Sequence, residues 1–150
     1  MTVDIYTDGS CLGNPGFGGW AAICSEFTIC GCNEDGPKTT NNIMELTAAI
    51  RALEKAHECG MASVRVFTDS TYVKKGITEW VSGWERKNWV TSSRTEVKNK
   101  QLWIELLRLT RLFSAGAIEW QWVKAHNGNP MNEKVDKLAR DCAEYNKKKS

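Results

Sequence analysis

Long apolar runs are missing from this 150-residue chain: no stretch of 18 apolar residues occurs, which leaves no candidate for a membrane-spanning helix. Also missing is any C-x-x-C pair, and the two histidines, His57 and His126, stand in no zinc-ligand spacing with the six cysteines. The common structural zinc sites are therefore not encoded. Proline is scarce, at three residues, and no linker or repeat divides the chain. The opening Met1-Thr2-Val3-Asp4 lacks the charged and apolar regions of a secretory signal. These absences predict one cytoplasmic domain over residues 1–150, with its cysteines reduced and packed.

What is present reads as an ordinary globular chain. Apolar residues make up 41% and charged residues 25%, a balance that excludes disordered, collagenous and disulfide-scaffold classes. The net charge of +2 conceals an uneven distribution. Residues 1–73 carry 4 basic and 9 acidic side chains, residues 74–100 carry 7 and 3, and residues 101–150 carry 9 and 6. An acidic first half joined to a basic second half suits a cation site beside a surface for a polyanion, and equally a mixed solvated surface.

Two segments, 2–8 and 63–69, alternate in the same phase and end alike: Thr7-Asp8 before Gly9-Ser10, and Thr68-Asp69 before Ser70-Thr71. Between them the pattern predicts a glycine-rich turn from Gly9 to Gly19, strands near 20–26 and 28–34, and a helix near 42–58. Because a helix precedes the second Thr-Asp strand, a parallel pairing with the first is expected, with both aspartates at the carboxyl ends, where open α/β sheets bind ligands. A helical stretch through about Val81, a helix near 99–113, a strand at 117–124 and a helix opening at Asn129-Pro130 complete the pattern. The fold class expected is α/β, a mixed sheet flanked by helices.

Four acids sit where acids are unusual. Glu45 shares a face with Ala48, Ala49 and Leu53, the face expected to pack on the sheet. It also stands at capping-box spacing from Asn42, which would send it back to an N-cap amide. Asp136 lies between Val135 and Ala139, at the edge of an apolar stripe. Asp8 suits a turn, and Asp69 suits a helix cap. Taken together, two acids at strand ends and two on flanking helices describe a carboxylate cluster that would require a hard divalent cation such as Mg²⁺. His126, in a loop of turn-forming residues, is placed to move protons near such a cluster or to stand as an ordinary surface histidine. Cys30 and Cys32 form a C-x-C on one strand face, open to plain packing or to a soft-metal or redox pair.

The ordered series Thr7-Asp8-Gly9-Ser10-Cys11-Leu12-Gly13-Asn14-Pro15-Gly16, Thr39-Thr40-Asn41-Asn42-Ile43-Met44-Glu45-Leu46, Thr68-Asp69-Ser70, Trp80 to Trp89, and His126 with Asn132 to Asp136 closely resembles the bacterial type 1 ribonuclease H enzymes. The resemblance covers nearly the whole chain. It implies a ribonuclease H-like fold with a five-stranded mixed sheet of order 3-2-1-4-5, and endonucleolytic hydrolysis of the RNA strand of an RNA–DNA hybrid to 5′-phosphate and 3′-hydroxyl ends. It further implies that Asp8, Glu45, Asp69 and Asp136 hold two Mg²⁺ ions, with Mn²⁺ as a substitute. Asp8 would bridge the ions, Asp136 would serve the attacking-water side, and Glu45 with Asp69 the leaving-group side. His126 would assist proton transfer and product release.

Substrate contacts follow from the same matching. Asn14, Asn41 and Asn42 resemble groove and RNA-strand contacts, while main-chain groups of Gly9, Ser10 and Cys11, with Glu45, would sense the 2′-hydroxyls. Lys38, Thr40 and Asn99 resemble a pocket for a DNA-strand phosphate, and Tyr72, Trp80, Trp84 and Ser92 a channel for deoxyribose. Residues of about 80–100 resemble the family's basic protrusion, diluted here by Glu85 and Glu96, with a further basic tail at 147–150. Ala125 stands where glycine is usual before the loop histidine, and Phe17 and Trp20 are bulky for the glycine-rich turn. No amino-terminal hybrid-binding module and no obligate protein partner are expected, and with no unassigned apolar stripe left for a partner the enzyme would act as a monomer. The competing readings are a hybrid-binding module without catalysis, and a DNA-processing nuclease of the same architecture.

Overall fold

A computed structural model of the chain describes residues 1–149. Five strands, β1 (Val3–Leu12), β2 (Phe17–Ile23), β3 (Thr28–Cys32), β4 (Val64–Thr68) and β5 (Ile118–Trp122), form one sheet of order β3-β2-β1-β4-β5. The mixed sheet expected from the sequence is the one observed. β1 pairs antiparallel with β2 and parallel with β4, and β4 pairs parallel with β5. The long helix α1 (Asn41–Glu58) supplies the crossover between the hairpin strands and β4.

The glycine-rich segment differs from expectation. β1 continues through Asp8 to Leu12 and pairs with β2 as far as Leu12↔Phe17, so the turn is confined to residues 13–16. Phe17 and Trp20 are therefore strand residues. The glycines of β2 serve packing: a Cβ on Gly19 would lie 2.5 Å from the Ala139 carbonyl oxygen. Without that side chain α5 (Pro130–Lys149) lies close against the strand, with Val135 and Ala139 fully buried on Ala21 and Ile23. On the other face α1 buries Leu46, Ala49 and Leu53 with Ile5, Val64 and Val66. The periodicity of α1 and α5 thus places one helix on each side of β1.

Beyond β4 the helical stretch runs further than Val81. It comprises α2 (Thr71–Lys75), a π-helical turn (Gly76–Trp80) and α3 (Val81–Arg86). The bulge lies against Trp103 of α4 (Lys100–Thr110), a fully buried side chain. Gly76 lets the chain pass there, since a Cβ would come 2.0 Å from the Trp103 ring. Trp84 packs between Trp103 and Trp89, with ring centroids 5.5 and 6.3 Å away. The tryptophan-rich segment thus extends the core that α1 shares with the sheet, beneath a surface carrying Arg86 and Lys87.

Candidate active site

The sheet brings the two Thr-Asp motifs together. In the parallel β1–β4 pair Tyr6 stands opposite Phe67, their rings stacked at 4.4 Å. Asp8 and Asp69 each follow that pair by two residues, which sets them side by side at the carboxyl ends. Thr7 Oγ1 donates to the Phe67 carbonyl at 3.1 Å, and Thr68 Oγ1 accepts from Ser70 N–H, so both threonines lock the strand ends. Trp122 Nε1 donates to the Asp69 carbonyl at 3.1 Å and joins β5 to the same corner. The sequence carried no signal for that last contact, because the alternation of β5 says nothing about a partner on β4.

Glu45 arrives from α1. The helix is capped by Thr40, whose side chain accepts from Ile43 N–H at 3.2 Å, and not by Asn42. Glu45 is thereby released from the capping box, and its Oε1 accepts from Gly9 N–H at 2.9 Å. Asp69 is likewise no cap, because Ser70 accepts from Val73 N–H at the start of α2. One oxygen from each of Asp8, Glu45 and Asp69 lies within 4.8 Å of the others.

This crowding has a clear electrostatic signature. Burial and the negative charges of Asp69 and Asp136 push the Asp8 carboxyl from 3.8 up to about 9. Burial, then Asp8 and Asp69, raise Glu45 well above the usual carboxylate range, with the Gly9 N–H opposing. Like charges drawn out of water disfavour one another's ionisation, and a hard divalent cation reverses the balance. The donor set, carboxylate oxygens alone, is of the type Mg²⁺ and Ca²⁺ prefer.

Asp136 stands outside the group of three, on α5, near enough to Asp8 to help raise it. Its Oδ2 accepts from Arg140 Nε at 3.3 Å, one turn along the helix. His126 lies exposed in the loop before α5, with its backbone left-handed at φ 54°. Asn129 then caps α5, its Oδ1 accepting from Met131 and Asn132 N–H.

The residues matched to substrate contacts fall into two groups. Asn14 Oδ1 accepts from Asn41 N–H at 3.0 Å, and Cys11 Sγ donates to the Thr39 carbonyl at 3.4 Å. These bonds gather Gly9, Ser10, Cys11, Asn14, Thr40, Asn41 and Asn42 along the rim beside Glu45, with the three asparagines exposed. The second group is aromatic: Trp80, Trp84 and Ser92 line a groove of about 500 Å³ together with Lys87. Tyr72 meets Trp80 edge-on at 6.1 Å, and its hydroxyl accepts from Asn99 Nδ2 and from Trp103 Nε1, both at 3.1 Å. Lys38 faces a separate groove with Trp20, Ile43 and Arg51, and no hydrogen bond among the described residues joins it to Thr40 or Asn99. Glu85 is held by two hydrogen bonds from Arg111, at 2.8 and 2.6 Å.

Comparison with known proteins gives one consistent result. The RNase H family profile matches residues 1–144. A "Ribonuclease H" of Anaplasma marginale (strain St. Maries) is 56% identical over 143 residues, covering 92% of this chain and 88% of the relative. A "Ribonuclease HI" of Xylella fastidiosa (strain Temecula1 / ATCC 700964) is 51% identical, covering 94% and 91%. Among solved structures, LC9-RNase H1, described as a type 1 RNase H with the type 2 active-site motif, superposes with a TM-score of 0.80 at 30% identity. The superposition covers 97% of this chain and 73% of that one.

Proposed function

The chain belongs to the RNase H family, and from that premise we propose that it binds RNA–DNA hybrids and cleaves their RNA strand at the corner formed by Asp8, Glu45 and Asp69. It is an endoribonuclease of the bacterial type 1 class. The observation that carries the placement of the reaction is the convergence of three acids within 4.8 Å, with Asp8 raised to about 9. A protein with no use for a cation gains nothing from such an arrangement, since each acid opposes the ionisation of the next.

In this reading Asp8, Glu45, Asp69 and Asp136 hold Mg²⁺, as two ions during turnover, with Mn²⁺ a substitute. When bound, the metal supplies compensation for the phosphate charge and activation of the attacking water. Water adds to phosphorus, the bond to O3′ breaks, and the products carry a 5′-phosphate and a 3′-hydroxyl. Glu45 is oriented by Gly9 N–H, and Asp69 by the Ser70 turn and the Trp122 indole bound to its carbonyl. His126, free of helix and strand on the exposed loop, moves the proton near the departing oxygen and aids release. Asn14, Asn41 and Asn42 lie along the hybrid beside the main chain of Gly9 to Cys11, where 2′-hydroxyls distinguish RNA from DNA. Lys38, Thr40 and Asn99 face a DNA-strand phosphate. Tyr72, Trp80, Trp84 and Ser92 face deoxyribose, which an extra hydroxyl would crowd.

No helix among the described residues is long and apolar enough to cross a membrane, and all six cysteines are free. In this reading the enzyme is cytoplasmic and monomeric, with one domain over residues 1–150. The deciding experiment is a substrate panel in Mg²⁺ with the wild type and Asp8→Asn. The wild type cuts the RNA strand of a hybrid and spares double-stranded DNA and single-stranded RNA, and the folded variant cuts nothing. Equal cutting of the three substrates would remove the deoxyribose assignment, and full activity of Asp8→Asn would remove the carboxylate one.

A further inference from the structure

Three of the six cysteines meet on the face of the sheet that α5 covers. In the antiparallel β2–β3 pair, Ala21 stands opposite Cys30 and Gly19 opposite Cys32. Residues paired across two strands point to the same side of a sheet. Ala21 faces α5, packed on Val135 and Ala139, so Cys30 and Cys32 face α5 as well. From the helix, Cys142 sits over Gly19: a Cβ added there would lie 2.8 Å from the Cys142 Cβ. Cys30 is exposed on the edge strand, and Cys142 is partly buried behind it.

We propose that Cys30 and Cys142 form a reversible disulfide site that ties α5 to the edge strand β3. Of the side chains around Cys142, Cys30 acts on its thiol most strongly, with Cys32 behind it. Burial, followed by Cys30 and then Cys32, pushes the Cys142 thiol from 9.0 up to about 12. Cys142 therefore stays protonated and unreactive on its own, and exposed Cys30 is the thiol that a small oxidant reaches first. Cys32 is the poorer partner for Cys30. Residues i and i+2 of a strand stand about 6.6 Å apart at Cα, the outer end of the disulfide range.

The oxidant is a low-molecular-weight disulfide of the glutathione type. The Cys30 thiolate attacks one of its sulfurs, forming a mixed disulfide and expelling one thiolate. Cys142 then attacks the Cys30 sulfur, and the second small thiolate leaves. Two protein thiols lose two electrons, the oxidant becomes two thiols, and the protein's thiol protons go to the departing thiolates. The new bond closes a loop between residues 30 and 142 and removes conformational freedom from the unfolded chain.

The test uses the full chain, without denaturant, incubated with oxidised glutathione and digested with trypsin under non-reducing conditions. The expected product joins the peptide of residues 1–38 to that of residues 141–147. Fragmentation places the link at Cys30, dithiothreitol reverses it, and both Cys30→Ser and Cys142→Ser abolish it while still cleaving hybrid. The oxidised wild type melts about 5–10 °C above its reduced form, and neither variant shows the rise. Glutathione retained on Cys30 with no cross-link, or a link from Cys142 to Cys32 that persists in Cys30→Ser, would overturn the proposal.

Discussion

Gly9 donates its backbone N–H to Glu45 at 2.9 Å, so the first strand holds the acid of the first helix in place. The approach depends on glycine, because a Cβ at position 9 would lie 2.3 Å from the Met44 carbonyl carbon and 2.4 Å from Glu45 N. Both atoms are helix backbone, and backbone cannot rotate out of the way. Gly9→Ala must therefore push α1 off β1 or turn β1 aside, at about 1–3 kcal/mol for forced overpacking. The functional loss is larger than the stability loss. A displacement near 1 Å at a reacting centre costs roughly 10²-fold in rate. Steady-state cleavage of a hybrid, with thermal unfolding on the same sample, checks both; an Ala variant with wild-type kcat would remove Gly9 from the positioning role.

The raised carboxyl of Asp8 sets the pH dependence of the metal-free protein. Its folded value of about 9 lies above the unfolded value near 3.8, so between these limits the folded state binds more protons than the unfolded one. Stability then falls as pH rises. In EDTA, Tm is expected to decline steadily from pH 5 to pH 9. Asp8→Asn removes one of the two raised carboxyls and flattens the decline, giving a variant more stable than wild type at pH 8. Added Mg²⁺ stabilises the wild type as RT ln(1 + [L]/Kd) and leaves the variant nearly unmoved. Differential scanning calorimetry across pH, with and without Mg²⁺, measures all of this. A flat wild-type profile in EDTA would contradict the crowding.

How far the sequence disclosed this corner differs from residue to residue. Asp8 and Asp69 were legible because two strands repeat one pattern and parallel pairing puts their ends together. The period of α1 marked Glu45 as an acid on the packed face, yet left it suspended between a metal site and the capping box. The structure separates these through Thr40, which takes the cap itself. Local spacing cannot reveal which of two side chains within three residues wins a backbone amide. The extension of β1 through Gly9 to Leu12 was illegible for a related reason: glycines at a turn and glycines under a helix look the same until the helix is seen lying on Gly19. The indole N–H bonds of Trp122 and Trp103 are tertiary facts with no local signature.

Tyr72 joins the folded core to the substrate face. Its hydroxyl accepts from the fully buried Trp103 and from Asn99, which stands left-handed at φ 60° before α4. Tyr72→Phe leaves the buried indole N–H unpaired, at about 1–3 kcal/mol. For a chain of this size that is a fall in Tm of roughly 2–12 °C. Asn99 simultaneously loses its tether, so KM for hybrid rises more than kcat falls. Tyr72→Phe with an unchanged Tm would mean that water replaces the hydroxyl.

In the basic segment the pairing of Glu85 changes the expectation. An acid in this position reads from the sequence as a dilution of the surface that meets the polyanion. In the structure Glu85 is engaged by Arg111, whose hydrogen bonds hold it below the usual carboxylate range. The acid therefore neutralises Arg111, and Lys87 remains free to act in the groove with Trp80, Trp84 and Ser92. If Lys87 meets a phosphate there, each hybrid bound releases one more counterion than Lys87→Ala does. The slope of log affinity against log salt should then shrink by about 0.7–0.9. The weakening should be uniform across hybrid sequences, because phosphate contacts carry no base information. Glu85→Gln serves as the comparison: it changes net charge by the same amount in the opposite sense, but it frees Arg111 and leaves Lys87 in place. Fluorescence anisotropy on a labelled hybrid, in Ca²⁺ to suppress cleavage, gives both slopes. A slope unchanged in Lys87→Ala would move the DNA-strand contact out of this groove.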